Sequence, residues 1–285
     1  MNKVYLNGEF VDANEARISP MDRGFLFGDG IYEVIPTYCG KPVGLNLHLE
    51  RMKSGLQNVG INYAIDAELW ADIIHRLISQ QTSVSQGVYV HVSRGTDVKR
   101  FHAYPKNIAP TVFAYAFDTP PSQEVSSEKI KGFHVTTGQD LRWQRCHIKS
   151  TSLLGNVMHF QQSQDAGVDE IILYNEDKEI TEAATCNVFI VKNEVIYTPP
   201  LDNHLLPGIT RRIAIDAIRQ YTDFEMQETV ITLDELLDAD EVWITSSSKE
   251  IGPVLSIDGN LVGDGREGPV WMAAQNAYNK HKFNC

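Results

Sequence analysis

The stretch DLRWQRCHIKSTSLLGN, residues 140–156, sets a lysine, Lys149, behind an apolar and aromatic run and directly before a hydroxyl-rich turn. The segment STSLLGNVMHFQQSQDAG predicts a helix, with Ser150, Thr151 or Ser152 as N-cap and Leu153, Leu154, Val157 and Phe160 as its apolar stripe. A lysine at the start of a helix is ordinarily a solvated charge. A lysine that is desolvated, or set near other cations, has a lowered pKa, and its amine becomes a nucleophile able to form a Schiff base. Arg142, Arg145 and His147 are close in sequence, which suits the second role.

On both sides of this stretch the chain alternates short strands and helices. KVYLNGEFV predicts a hairpin around Asn7-Gly8. DRGFLFGDGIYEVIPTYCGKPVGL reads as a Gly-rich loop followed by a strand pair turning at CGKP. NLHLERMKSGLQNVGI predicts a helix with Leu49, Met52, Leu56 and Val59 inward, and a second helix over about 67–80 has Asp66 as cap with Leu69, Ile73 and Leu77 inward. Strands GVYVHVSRG and APTVFAYAF follow, separated by the polar loop TDVKRFHAYPKN. Farther on, strands near 130–137, 169–174, 186–191, 194–198, 240–246 and 252–257 alternate with helices near 152–165, 210–221 and 268–281. DTPPSQEVSSEK, 118–129, has two prolines amid serines and charges and marks a linker. The expected architecture is α+β with mostly antiparallel sheets: an N-terminal domain over 1–118, a linker over 119–129 and a C-terminal domain over 130–285.

A chain of 285 residues with 42% hydrophobic and 22% charged residues is long enough to bury a sizeable core. A net charge of −12 argues against a nucleic-acid groove or an anionic membrane as partner, so a small anionic ligand needs a local basic pocket. The four cysteines, Cys39, Cys146, Cys186 and Cys285, have no CxxC or metal-type spacing, and no metal is expected. The N-terminal stretch has no apolar signal core and no run approaches membrane-spanning length, so the expected location is cytoplasmic.

Five further groups carry candidate chemistry. Arg51, on the helix HLERMKSGL, can fork onto a phosphate where a lysine would be only a point charge. LLPGITRRIAIDAI places Gly208, Ile209 and Thr210 at a helix start, where free N–H groups and the positive dipole end favour phosphate. TSSSKE, 245–250, is a second hydroxyl-rich turn. Glu182 lies just before an apolar strand in EITEAATCNVFIV; a carboxylate buried there needs a cationic partner, and a protonated pyridine nitrogen would serve. Arg100 and His102, two apart in an extended loop, project to one side and, with Tyr32 of GDGIYEV, could bind a carboxylate.

Together, DRGFLFGDGIYEV, HLERM, IKS with its helix, TEAATCNVF, GITR and TSSSKEI stand in the order seen in the class IV pyridoxal-phosphate aminotransferases, and the resemblance runs nearly end to end. Within that family the chain resembles the D-amino acid aminotransferases through GDGIYEV, the RWxRCxIKS segment and the Arg-x-His pair. The resemblance implies a fold-type IV enzyme, with a smaller N-terminal α/β domain and a larger C-terminal domain built on a barrel-like sheet. It implies pyridoxal 5′-phosphate held as a Schiff base by Lys149, with Arg51, Ile209, Thr210, Ser246 and Ser247 around the phosphate. Glu182 then partners the pyridine nitrogen and Leu206 packs on the ring. Tyr32, Val34, Arg100 and His102 form the substrate site. The implied reaction is transamination between D-amino acids such as D-alanine and 2-oxo acids such as 2-oxoglutarate. The implied assembly is a homodimer in which Arg100 and His102 reach in from the neighbouring subunit. Other activities on this scaffold are L-branched-chain transamination, (R)-amine transamination and 4-amino-4-deoxychorismate lysis.

Overall fold

The computed structural model describes residues 3–125 and 130–284; the last four positions of the expected linker, 126–129, and Cys285 lie outside the described residues. The chain divides into two compact units. The first holds the residues up to Pro121 together with Ile148–Leu153; the second holds Ser122–His147 and the residues from Leu154 to Asn284.

In the first unit, β1 (Lys3–Leu6) and β2 (Glu9–Asp12) form the expected hairpin, with Asn7 and Gly8 at φ 50° and 102°. Positive φ at both central residues matches the right-handed twist of the strands. The segment read as a Gly-rich loop contains a short helix, α1 (Arg23–Phe27), because the Asp22 side chain accepts from the Gly24 N–H at 2.8 Å and Gly28 ends it in the left-handed region. Next come β3 (Gly30–Tyr38), β4 (Lys41–Pro42), α2 (Leu45–Asn58), α3 (Ala67–Ile78), β5 (Ser85–Ser93) and β6 (Thr111–Asp118). The strands lie in the order β2-β1-β6-β5-β3-β4, all antiparallel.

Leu49, Met52 and Leu56 of α2 and Ile73 and Leu77 of α3 fill one core with Ile31, Ile35, Val88 and Val90. Asp66 caps α3 as expected, accepting from the Glu68 and Leu69 N–H groups. Leu69, expected inward, is 44% exposed, and the fully buried Trp70 takes its place. Ile73 and Leu77 stay inward as expected, and Trp70, Ile74 and Ile78 widen the buried face on the side away from Leu69.

In the second unit are β7 (Phe133–Gln139), α4 (Leu154–Asp165), β8 (Glu170–Tyr174), β9 (Ile180–Ala183), β10 (Asn187–Lys192) and β11 (Val195–Thr198). Then follow α5 (Ile209–Tyr221), β12 (Met226–Glu228), α6 (Leu233–Leu237), β13 (Glu241–Ser246), β14 (Glu250–Ile257), β15 (Asn260–Leu261) and α7 (Pro269–His281). The sheet runs β12-β11-β10-β13-β14-β7-β8-β9, with β15 on β14. Only β11–β12, β14–β7 and β7–β8 are parallel among the described strands, so this sheet is mostly antiparallel and the fold is α+β. The short elements β9, β12, α6 and β15 escape the sequence reading, being too brief to express a period.

Two expectations around Lys149 are corrected. Ser150, Thr151 and Ser152 do not cap α4: Ser150 pairs with Ile31, and the Thr151 and Ser152 hydroxyls donate to the Gly28 carbonyl at 2.9 and 3.0 Å. Nor do Leu154 and Val157 face inward; they are exposed, as is Met158, while His159 and Ser163 are buried. Those polar side chains are satisfied inside: His159 Nε2 accepts from the Leu141 N–H at 3.1 Å, and Ser163 donates to the Phe160 carbonyl at 2.7 Å. Phe160 does pack, against Ile171, Leu173 and Ala184.

Cys39, Cys146 and Cys186 are free thiols. Among the described residues no helix is long and apolar enough to cross a membrane, and no cluster of His, Cys, Asp or Glu could hold a metal ion.

Candidate active site

Strand alternation sorts the chemistry of β3. Tyr32 and Val34 are half-buried on one face, while Ile31, Glu33 and Ile35 are buried on the other, where α2 lies. Lys149 is set on the first face by main-chain pairing: its carbonyl accepts from the Tyr32 N–H at 3.1 Å, and the Thr151 N–H donates to Gly30 at 2.9 Å. Lys149 Nζ then donates to the Tyr32 hydroxyl at 3.3 Å and lies 4.3 Å from the centre of its ring. Among the described residues Nζ has no carboxylate partner, so nothing in this unit commits its amine to an ion pair. Tyr32 is stacked on Tyr89, whose hydroxyl bonds His91 Nδ1 at 3.1 Å.

On the opposite face, Arg51 grips Glu33 with Nε and Nη2 at 2.8 and 2.7 Å, and His48 Nδ1 adds a 2.6 Å contact. Burial favours the neutral form of Glu33, yet the charge and hydrogen bonds of Arg51, with His48, overcome it and hold the carboxyl at about 2. The bidentate grip orients the Arg51 fork. Glu33 and His48, which hold Arg51 from within the unit, were not singled out from sequence. The available signal was a carboxylate on the apolar parity of β3.

Arg100 and His102 lie on the exposed loop after β5, and both sit against Phe27. The Arg100 guanidinium is 5.0 Å from that ring's centre, and the His102 ring is 5.4 Å from it. The same-side reading of these two residues agrees with their shared neighbour. Arg100 has no acidic partner among the described residues.

In the second unit, Glu182 lies on the short β9, ahead of the apolar strand β10 that the sequence reading places after it, and is buried. Its Oε1 accepts from Arg142 Nη1 at 2.6 Å, and its Oε2 accepts from the Leu206 N–H at 3.0 Å and Asn187 Nδ2 at 3.2 Å. Burial raises its pKa and Arg142 with the Leu206 N–H offsets only part of that, leaving it at about 7. Arg142 is also held by Asp140, through Nε at 3.0 Å and Nη2 at 2.7 Å. The carboxylates beside Arg142 raise its pKa against the effect of burial, so it stays charged.

Asn187 ties this carboxylate to α5. Its Nδ2 also donates to the Leu206 carbonyl at 2.8 Å, and its Oδ1 lies 2.0 Å from where a Cβ on Gly208 would stand. Gly208 caps α5 without any side-chain hydrogen bond. Among the described residues the first-turn N–H groups of Ile209 and Thr210 therefore find no acceptor, as an anion site requires. The Ser246–Glu250 hairpin turn presents Ser246, Ser247 and Ser248; the Ser246 hydroxyl accepts from the Lys249 N–H at 3.2 Å. Asn187 and the Arg142–Glu182 pair were not assigned from sequence, since side-chain pairing across 40 positions leaves no local pattern.

In the first unit an uncommitted lysine amine suits an aldehyde; in the second a buried carboxylate of raised pKa suits a heteroaromatic nitrogen, and an open helix N-terminus suits a phosphate. Residues 30–257 match the family model for amino-transferase class IV. The chain belongs to the class IV aminotransferases. Among its relatives in this family, the D-alanine aminotransferase of Staphylococcus haemolyticus is 37% identical over 284 residues, 99% of this chain and 98% of its own. That of Bacillus licheniformis is 38% identical over 276 residues, 96% of this chain and 95% of its own. A class IV aminotransferase architecture is also what solved structures resemble: an Escherichia coli branched-chain amino acid aminotransferase superposes with a TM-score of 0.89 at 25% identity, covering 99% of this chain and 94% of its own. The branched-chain aminotransferase of Thermoproteus uzoniensis gives 0.86 at 23% identity, over 99% and 95% of the two chains.

Proposed function

We propose that this class IV aminotransferase moves the amino group between D-amino acids such as D-alanine and 2-oxo acids such as 2-oxoglutarate, using pyridoxal 5′-phosphate. The observation that carries the reading is the pairing of Arg100 and His102 against Phe27, cationic and without an acidic partner among the described residues. It occurs in a chain 37% identical along its length to a D-alanine aminotransferase. An arginine with a neutral donor beside it is suited to a substrate carboxylate, and Tyr32 adds a hydroxyl.

The bound cofactor supplies an electron sink for negative charge at the substrate Cα. Lys149 would hold the cofactor and, once its amine is displaced by the substrate amine, would serve as the base for the substrate Cα proton and as its donor afterwards, acid–base help worth about 10²–10⁴-fold. The Tyr32 hydroxyl, 3.3 Å from Nζ, orients that amine. Glu182 holds a proton at the pyridine nitrogen, and Arg142 favours the charged carboxylate this needs. Arg51, Ile209, Thr210, Ser246 and Ser247 bind the phosphate, Leu206 packs on the ring, and Val34 lines the substrate side with Tyr32.

The working form is a homodimer in which Arg100 and His102 serve the neighbouring subunit. The exposed apolar side chains Leu154, Val157 and Met158 of α4 support an assembled state, and light scattering tests it. The free thiols are in keeping with a reducing, cytoplasmic setting.

The test follows the visible spectrum of the cofactor-loaded protein as D-alanine, L-leucine and a primary amine are added singly without acceptor. Conversion by D-alanine alone is expected. Conversion by L-leucine would instead favour branched-chain transamination, the reading to which the likeness of the solved structures points. Arg100→Leu should reduce kcat/KM for D-alanine by about 30-fold to several thousandfold, the equivalent of about 2–5 kcal/mol, as when one partner of a buried hydrogen-bonded charge pair is truncated. Unchanged kinetics would remove Arg100 from the substrate site.

A further inference from the structure

Arg23, Asp29 and Arg94 form a charge cluster in the first unit that the reaction itself does not use. Arg23 opens α1 and is 3% exposed; its Nε donates to Asp29 Oδ2 at 2.8 Å. Arg94 follows β5 and grips the same carboxylate, with Nε on Oδ2 at 2.7 Å and Nη2 on Oδ1 at 2.9 Å. Burial would raise the Asp29 pKa, but the two arginines lower it below the usual carboxylate range. Two guanidinium groups on one carboxylate leave an excess positive charge away from water, tolerable only where the other donors find oxygens.

They find main-chain carbonyls. Arg94 donates to Val59 at 2.7 Å and Gly60 at 2.8 Å. Arg23 donates Nη1 to the Phe101 carbonyl at 2.5 Å and Nη2 to the His102 carbonyl at 3.2 Å. Those two carbonyls belong to the loop that carries Arg100 and His102. That loop has neither helix nor strand over residues 98–104, and every side chain in it is exposed. Its other supports are aromatic: Tyr104 lies 3.7 Å from the Arg94 guanidinium, and the Phe27 ring carries Arg23, Arg100 and His102 together. A loop with so few buried contacts takes its shape from the groups that tie its backbone.

We propose that Arg23 is a positioning residue for substrate selection: by holding the Phe101 and His102 carbonyls it sets where Arg100 and His102 present their charge and donors to a substrate carboxylate. Arg94 fixes Asp29, and Asp29 fixes the angle of the Arg23 fork. The proposal rests on the reading of Arg100 and His102 as carboxylate ligands.

The test compares Arg23→Met, Arg23→Lys and Arg100→Leu as cofactor-loaded proteins. Displacing the loop by about 1 Å is expected to raise KM for D-alanine in Arg23→Met by about 10–100-fold, with kcat within about threefold. Arg23→Lys, which keeps the charge but not the fork, should fall between it and the wild type. Cofactor affinity should not change, and hydrogen exchange of the amides over residues 98–104 should quicken in Arg23→Met. A joint fall of kcat and cofactor affinity in both Arg23 variants would assign Arg23 to the stability of the unit and overturn the proposal. So would unchanged KM and unchanged exchange. If Arg100→Leu leaves KM untouched, the carboxylate reading fails on its own, while the exchange measurement still reports whether Arg23 holds the loop.

Discussion

Arg142→Met removes the cation that keeps Glu182 ionised. In the wild type the guanidinium is almost wholly buried and meets Glu182 at 2.6 Å, yet the carboxyl still titrates at about 7 because burial dominates. Without Arg142 it retains the Leu206 N–H and Asn187, loses the one cation in contact with it among the described residues, and still faces Asp140. Breaking a buried ion pair costs about 3–5 kcal/mol. With that cation gone, burial and Asp140 are less opposed, so the Glu182 pKa moves upward from about 7 and the neutral form dominates near neutrality. A neutral carboxyl cannot hold the cofactor nitrogen in its protonated form. Stopped-flow measurement of the D-alanine half-reaction between pH 6 and 10 should find the rate near neutrality lowered about 10²-fold, the scale of losing one preorganised electrostatic partner. The loss should shrink as pH rises toward the new pKa. Methionine approximates the volume of the stem, so packing is largely kept. A pH profile coincident with that of the wild type, at equal cofactor occupancy, would refute the role given to Arg142 and weaken that of Glu182.

Two further outcomes follow from the geometry. Gly208→Ala puts a methyl group against Asn187 Oδ1, with 2.0 Å available, and should cost about 1–3 kcal/mol as Asn187 is driven off Leu206 and Glu182; thermal unfolding and cofactor titration should both register it, and no change in either would mean that the clip is dispensable. The Glu33 carboxyl is held at about 2 against an ordinary 4.5, so its contribution to stability is present above about pH 4.5 and lost as pH falls toward 2. That contribution is about 3 kcal/mol at most. Denaturant unfolding across this window should therefore be flatter for Glu33→Gln than for the wild type, and parallel curves would show that Arg51 and His48 do not hold the carboxylate.

Much of the fold was legible because its signals are local. Asn7-Gly8 turns a hairpin whatever surrounds it, Asp66 caps its own helix, and Leu49, Met52 and Leu56 mark a buried face by spacing alone. Periodicity failed at α4, where Leu154 and Val157 are exposed and His159 and Ser163 are inside. A period of 3.6 identifies an apolar side but not what covers it, and polar side chains go inward wherever partners wait.

By itself, then, the sequence determined the family and the α+β class, and it singled out Lys149, Arg51, Glu182 and the Arg100–His102 pair as candidates, since these are chemical types in a fixed order. Which group each one meets was decided only by tertiary structure. Glu33 lies 18 positions before Arg51, Arg142 lies 40 before Glu182, and Arg23 lies 78 before Phe101. A hydrogen bond falls off within an ångström of its best length, and chain order places no constraint at that scale. Strand parity, helix packing and buried charge balance impose it, and they exist only once the chain has folded.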